Sequence, residues 1–196
     1  SGTCSRRTLD FRSPFAYLPT ITESVAQRGA REGRVTSTLE YCRKVRKQEF
    51  SKFVNVIKAL PEGKLDYRPD PKSRPAGALA WLLAAEEAAM LSLLDTGVVE
   101  WKEEPPPARV NDIVAAFEKN ATAVNERLDR LDEAGWEKKG KFLMGGAPAW
   151  EDAIGEFVWG FLFDAIHHRG QLSSYLRPMG AKVPSIYGPS ADDPGM

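Results

Sequence analysis

The chain holds two histidines, and they are adjacent, His167 and His168. Neighbouring residues of a helix point about 100° apart, so only one of the two imidazoles can share an apolar stripe. His168 is that one: it follows Phe161 by seven residues and Asp164 by four. An acid and an imidazole one turn apart on an inward face must be paired, hydrated or metal-bound. The i, i+4 spacing admits two readings, a hydrogen-bonded structural pair or two ligands of a divalent ion. Glu86 adds a second carboxylate. It follows Leu83 by three residues and precedes Met90 by four, on the core side of its own helical pattern, while Glu87 is expected on a flank. Facing helices that supply inward carboxylate and imidazole groups commonly hold divalent ions. The bland alternative leaves Glu86 in water at the rim of its stripe.

Four helix-length patterns have to position these groups. The first opens at Ser37, whose S-x-x-E spacing to Glu40 matches a capping box. Its stripe runs through Leu39, Cys42, Val45 or Arg46, Phe50, Phe53, Ile57 and Leu60, and Pro61 and Gly63 stop it. A polar connector over residues 62–74 leads to a second helix opened by Pro75, carried by Leu79, Leu82, Leu83, Met90, Leu93 and Leu94, and ended by Gly97. Pro105, Pro106 and Pro107 make a stiff extended connector. Asn111 or Asp112 then caps a third helix with Phe117, Ala121, Val124 and Leu128 on its stripe, ended by Gly135. Residues 136–148 read as a long loop. The fourth helix is expected from about Trp150 through Phe157, His168 and Tyr175 to the stop at Pro178 and Gly180. Residues 183–187 are the sole strand candidate, so the expected fold is all-α, a four-helix bundle with long inter-helix connectors.

At 196 residues, with 42% hydrophobic and 28% charged side chains, the chain falls in the globular range and well away from disordered compositions. Lys plus Arg equals Asp plus Glu, 27 each, which removes the global positive field of a DNA-coating protein. The basic excess sits in the first 34 residues, where six Arg meet three acids, and leaves the rest at a formal −3. Residues 1–36 are expected to be a flexible N-terminal extension, with an Arg-rich transit peptide as the alternative, and residues 37–196 the bundle domain with its C-terminal tail. Apolar runs such as residues 157–163 are too short and interrupted for a bilayer, so no membrane partner is expected. Cys4 and Cys42 lack any CxxC spacing and read as reduced thiols of a cytoplasmic protein.

The run from His168 through Arg169, Gly170, Gln171 and Leu172 to Arg177, followed by Gly180, Val183-Pro184 and Tyr187-Gly188, resembles the C-terminal signature of the DinB family. The segment from Arg43 to Glu49, the run Leu79-Ala80-Trp81 and the acidic Glu86 resemble it as well. The resemblance spans about residues 37 to 191 and implies a DinB-type four-helix bundle, often a homodimer, with nickel or zinc among three histidines. Carried over to this chain, His168 matches one histidine, Asp164 stands where another is usual, and Leu82 stands at the third. The set that could hold an ion is therefore His168, Asp164 and Glu86, a carboxylate-rich site suited to harder ions such as manganese. The resemblance implies a metal-dependent transferase or hydrolase acting on a small-molecule substrate, with water or a low-molecular-weight thiol as nucleophile. It also leaves room for a non-catalytic bundle that has lost the metal and binds small molecules or pairs as a dimer. No nucleic acid is expected as a partner. Arg169 is a candidate for binding an anionic substrate group, or for pairing with an acid on a neighbouring helix. Gly170 is expected to permit close helix contact, and Tyr187 to fold back over the bundle end, lining a pocket or capping the core.

Overall fold

Ser37 does cap the first helix: its hydroxyl accepts from the Glu40 N–H at 3.1 Å. From there the computed structural model describes residues 36–195. The order is α1 (Thr38–Lys58), α2 (Ala76–Thr96), β1 (Val98–Trp101), α3 (Val110–Arg130), α4 (Glu133–Glu137), β2 (Lys139–Met144), β3 (Ala147–Ala153) and α5 (Ile154–Leu176), with a single 3-10 turn at Glu62–Lys64. The expected N-terminal extension and Cys4 lie outside the described residues.

The four long helices form a ring. α3 and α5 each pack against both α1 and α2, so α1 and α2 face one another across the diagonal. One buried cluster fills the centre around Phe53, Leu83, Phe117 and Leu176. A second, including Leu39, Met90, Trp136 and Phe142, joins the helices to the strands. α2 is the most enclosed element, and by length and composition alone it would pass for a membrane span. In the fold this apolarity is spent on packing, since α2 lies against α3, α5 and β1 and buries Glu86 and Glu87 among its leucines. Gly97 ends α2 in the left-handed conformation at φ 78°, its N–H donating to the Leu93 carbonyl.

A strictly all-α fold is not what forms. β1, β2 and β3 make a sheet in that order, β1 parallel to β2 and β2 antiparallel to β3. The segment read as a loop is a hairpin whose two-residue turn, Gly145-Gly146, has φ of 59° and 78°. Glycine adopts such positive φ values at no steric cost, and this twist matches that of the flanking strands. The register slips between Phe142 and Leu143, which pair with Trp150 and Pro148 and leave Ala149 as the extra residue, so Pro148 sits at an irregularity of the outer strand β3. Residues 183–187, the expected strand, are irregular. Trp150 belongs to β3, and the last helix begins four residues later than expected, at Ile154.

Two helix ends also differ from expectation. α3 starts one residue before Asn111, with neither Asn111 nor Asp112 as its cap. The Glu62 carboxylate reaches over from the 3-10 turn and accepts from the Val110 N–H at 3.1 and 3.2 Å. α3 stops at Arg130, and Asp132 caps the short α4 by accepting from Gly135 N–H at 2.8 Å, so Gly135 lies inside a helix. Gly170 in α5 makes no close contact: a Cβ placed there would meet nothing within 4 Å. Gly170→Ala is therefore expected to raise the unfolding free energy by about 0.5–1 kcal/mol in urea titration, and a loss of stability would restore the close-contact role.

Candidate metal centre and its cleft

α5 carries Glu156, Gly160, Asp164 and His168 at four-residue intervals, and all four line one cleft of about 460 Å³. Steps of four drift by only about 40° around a helix, which keeps the row on one side. α2 faces this row with Leu82 and, one turn on, Glu86. Trp101, Phe142 and Trp150 close the third side from the three strands.

Glu86, Asp164 and His168 come together at the base. One ligand atom from each lies within 4.8 Å of the other two, a group assembled from α2 and α5 as the i, i+4 spacing implied. Their exposures differ. Glu86 is 2% exposed, the His168 side chain 17% and the Asp164 side chain 55%, so the floor is dry on the Glu86 side and open to solvent at Asp164. Burial pushes the Glu86 carboxyl up to about 10, helped by a hydrogen bond with Asp164 and by the nearby charges of Asp164 and Glu87. Its Oε2 has no hydrogen-bond partner among the described residues. A buried carboxylate oxygen left over in this way is a cost the fold bears unless something is bound there.

His168 is held for the same task. Its Nδ1 lies 3.0 Å from Gln171 Oε1, and Gln171 Nε2 lies 2.8 Å from His167 Nε2. A glutamine amide bridging two imidazoles donates through its NH₂ to His167 and accepts through its oxygen from His168 Nδ1–H. In the neutral imidazole that leaves Nε2, 3.4 Å from Asp164 Oδ2, with its lone pair. Fixing the tautomer through the remote nitrogen is the usual support for a metal-ligating histidine. Gln171 was named in the motif without a role; its i, i+3 and i, i+4 spacing to the histidines was the signal.

Arg169, the candidate substrate anchor, is not a wall of the cleft. One residue beyond His168 it points to another side of α5 and is 1% exposed, with its guanidinium 2.5 Å from Glu49 of α1 and 2.7 Å from the Tyr187 hydroxyl. This is the placement described by the alternative reading, beside an acid on a neighbouring helix. Tyr187 brings the C-terminal tail over that pair and also donates to Glu49 at 2.9 Å, so its hydroxyl does not line the cleft. Burial alone would raise the Glu49 carboxyl, but hydrogen bonds from Lys52, Arg169 and Tyr187 outweigh it and hold it below the usual range.

A second ionic link crosses the diagonal. Arg46 of α1 donates to Glu87 of α2 at 2.6 Å and to Asn125 of α3 at 3.0 Å. Glu87 was expected on a flank, yet it is 4% exposed, because the Arg46 guanidinium compensates its charge in the core. Burial still pushes its carboxyl up against the pull of Arg46. Cys42 is a free, buried thiol raised to about 11 mainly by desolvation, which removes it from consideration as a nucleophile.

The family model of the DinB family matches residues 34–195. Among solved structures the chain is similar to a DinB-like protein from Bacillus cereus, with a TM-score of 0.64, 22% identity, and coverage of 76% of this chain and 97% of that one. It is also similar to the DinB-like protein YjoA from Bacillus subtilis, with a TM-score of 0.58, 14% identity, and coverage of 71% and 92%. A looser likeness, with a TM-score of 0.45 at 14% identity, covering 73% and 61%, is to a mycothiol-dependent maleylpyruvate isomerase. No curated protein matches the sequence. With helices, strands and tail all inside the matched span, the chain belongs to the DinB family.

Proposed function

We propose that this protein is a metal-dependent DinB-type enzyme of the transferase or hydrolase kind, acting on a small molecule in the cleft. The observation that carries the reading is the convergence of Glu86, Asp164 and His168 at the cleft base, with Glu86 Oε2 buried and unpartnered. Two carboxylates and one imidazole suit a divalent ion, and they shift the preference from nickel or zinc toward harder ions such as manganese. When bound, such an ion supplies Lewis acidity and lowers the pKa of a water or thiol nucleophile. Gln171 fixes the His168 tautomer, the aromatic residues of the strands wall one side of the cleft, and Leu82 keeps another side apolar.

Leu82 also favours a second reading, a metal-free binding module in which Glu86 and Asp164 share a proton. Dialysis against manganese, zinc and nickel followed by elemental analysis separates the two. The enzyme reading expects about one equivalent retained per chain, falling at least about tenfold in affinity in His168→Ala and in Glu86→Gln. Retention of no ion by the parent, with His168→Ala as stable as the parent, leaves only the binding module.

A further inference from the structure

The polarity of the cleft runs opposite to the anion expected from Arg169. Among the described residues, four carboxyl side chains line it, Glu86, Asp152, Glu156 and Asp164, and Arg74 is the one Lys or Arg. That arginine is already engaged, 2.7 Å from Glu103, which is not among the lining residues. Above the base the walls are aromatic. Phe142 and Trp150 stack at 4.3 Å with planes 7° apart, Trp101 continues the stack on Phe142 at 6.5 Å and 17°, and Phe157 packs on Trp150 at 5.7 Å. Trp150 keeps 51% of its surface exposed although it stands in a cleft wall. Gly160 stands between Glu156 and Asp164 in the α5 row, where an added Cβ would meet nothing within 4 Å, so the floor between the two acids is bare.

We propose that the cleft recognises an organic cation, an ammonium group on an apolar or aromatic body. The cationic head lies near Asp152 and Glu156, beside the exposed part of the Trp150 ring, and the body lies over Gly160 toward the base. Ring quadrupoles attract cations and carboxylates add to that attraction, whereas an anion of the same shape meets repulsion from both. A volume of about 460 Å³ fits a small molecule. The inference rests on the cleft being the substrate site, and it concerns its mouth rather than its base.

Three probes with the same phenylethyl skeleton test it: phenethylammonium, 2-phenylethanol and phenylacetate, titrated into the full chain while the indole N–H signals of Trp101 and Trp150 are followed by NMR. Phenethylammonium is expected to bind at least about tenfold more tightly than phenylacetate, and to weaken as ionic strength rises from about 0.05 to about 0.3 M. The double variant Asp152→Asn/Glu156→Gln is expected to cut that preference to about threefold or less while leaving 2-phenylethanol unchanged. Trp150→Leu is expected to weaken the ammonium more than the alcohol. Phenylacetate binding as tightly as phenethylammonium overturns the proposal, as do ammonium-induced shifts that spare both indoles. Repeating the titration after EDTA dialysis keeps the two readings apart. A preserved preference in a chain that retains no ion refutes the metal centre alone, and a lost preference in a chain that retains one refutes the cation site alone.

Discussion

Arg169→Ala is expected to lower the unfolding free energy by about 3–5 kcal/mol in urea titration near neutral pH. The reason is what it would leave behind. Glu49 is buried and keeps its charge because Arg169, Lys52 and Tyr187 all donate to it. Without the guanidinium, a desolvated carboxylate stays in the junction between α1, α5 and the tail, and Phe53 loses the group stacked at 4.6 Å from its ring. Domains of this size are stable by only about 5–15 kcal/mol, so the variant should be severely weakened. The double replacement Arg169→Met/Glu49→Leu removes both charges and is expected to recover most of the loss, because well-packed apolar pairs rival buried ion pairs. A loss below about 1 kcal/mol in the single variant would assign the pair the strength of a solvent-exposed bridge and refute this account.

Glu86→Gln is expected to alter the dependence of stability on pH rather than stability at one pH. In the folded chain Glu86 holds its proton up to about 10, against 4.5 for an ordinary glutamate. Below 4.5 both folded and unfolded chains carry the proton, and its contribution is fully present. Above 4.5 the unfolded chain releases it and the folded chain does not, so stability falls with rising pH by up to about 1.4 kcal/mol per unit until the folded group ionises near 10. Glutamine has no proton to lose, so in EDTA the variant should gain on the parent steadily from about pH 6 to about pH 9. Parallel curves for the two proteins would show that Glu86 is not desolvated. A divalent ion competes with that same proton, so manganese should stabilise the parent more at the alkaline end of the range than at the acid end.

What was legible in the sequence was local. The Ser37 cap, the Gly97 stop and the i, i+4 relation of Asp164 to His168 depend on residues within one or two turns, and each appears in the structure. What was missed depends on partners far along the chain. Glu87 is polar by type and so reads as a flank residue, Glu49 shows only within a family-like run, and nothing near Arg46 or Arg169 in the sequence says which acid each meets. They are buried because each charge meets its complement on another helix. The strands gave little pattern: every residue of β3 from Ala147 to Asp152 is exposed, which abolishes the alternation by which a half-buried strand is recognised. Only the Gly145-Gly146 pair marked the hairpin, and with the hairpin unseen the indole and phenyl rings of the cleft stayed unseen too. The cap of α3 by Glu62 was hidden for a related reason, since the acceptor lies 48 residues away.

The hairpin is fastened at its root, where the Ile154 N–H donates to the Lys138 carbonyl at 2.8 Å. Everything between those two residues leaves and re-enters the helical frame at nearly one point. The hairpin's outer half can be exchanged like a tool head: a graft of different length or ring content from the Gly145-Gly146 turn through Asp152, all exposed, would retune what enters the cavity, while β2 and the α2 and α5 groups beneath stay in place. Diversification of ligand preference in this architecture therefore has a route through the exposed outer strand that leaves the buried Phe142 and the helical interior unchanged.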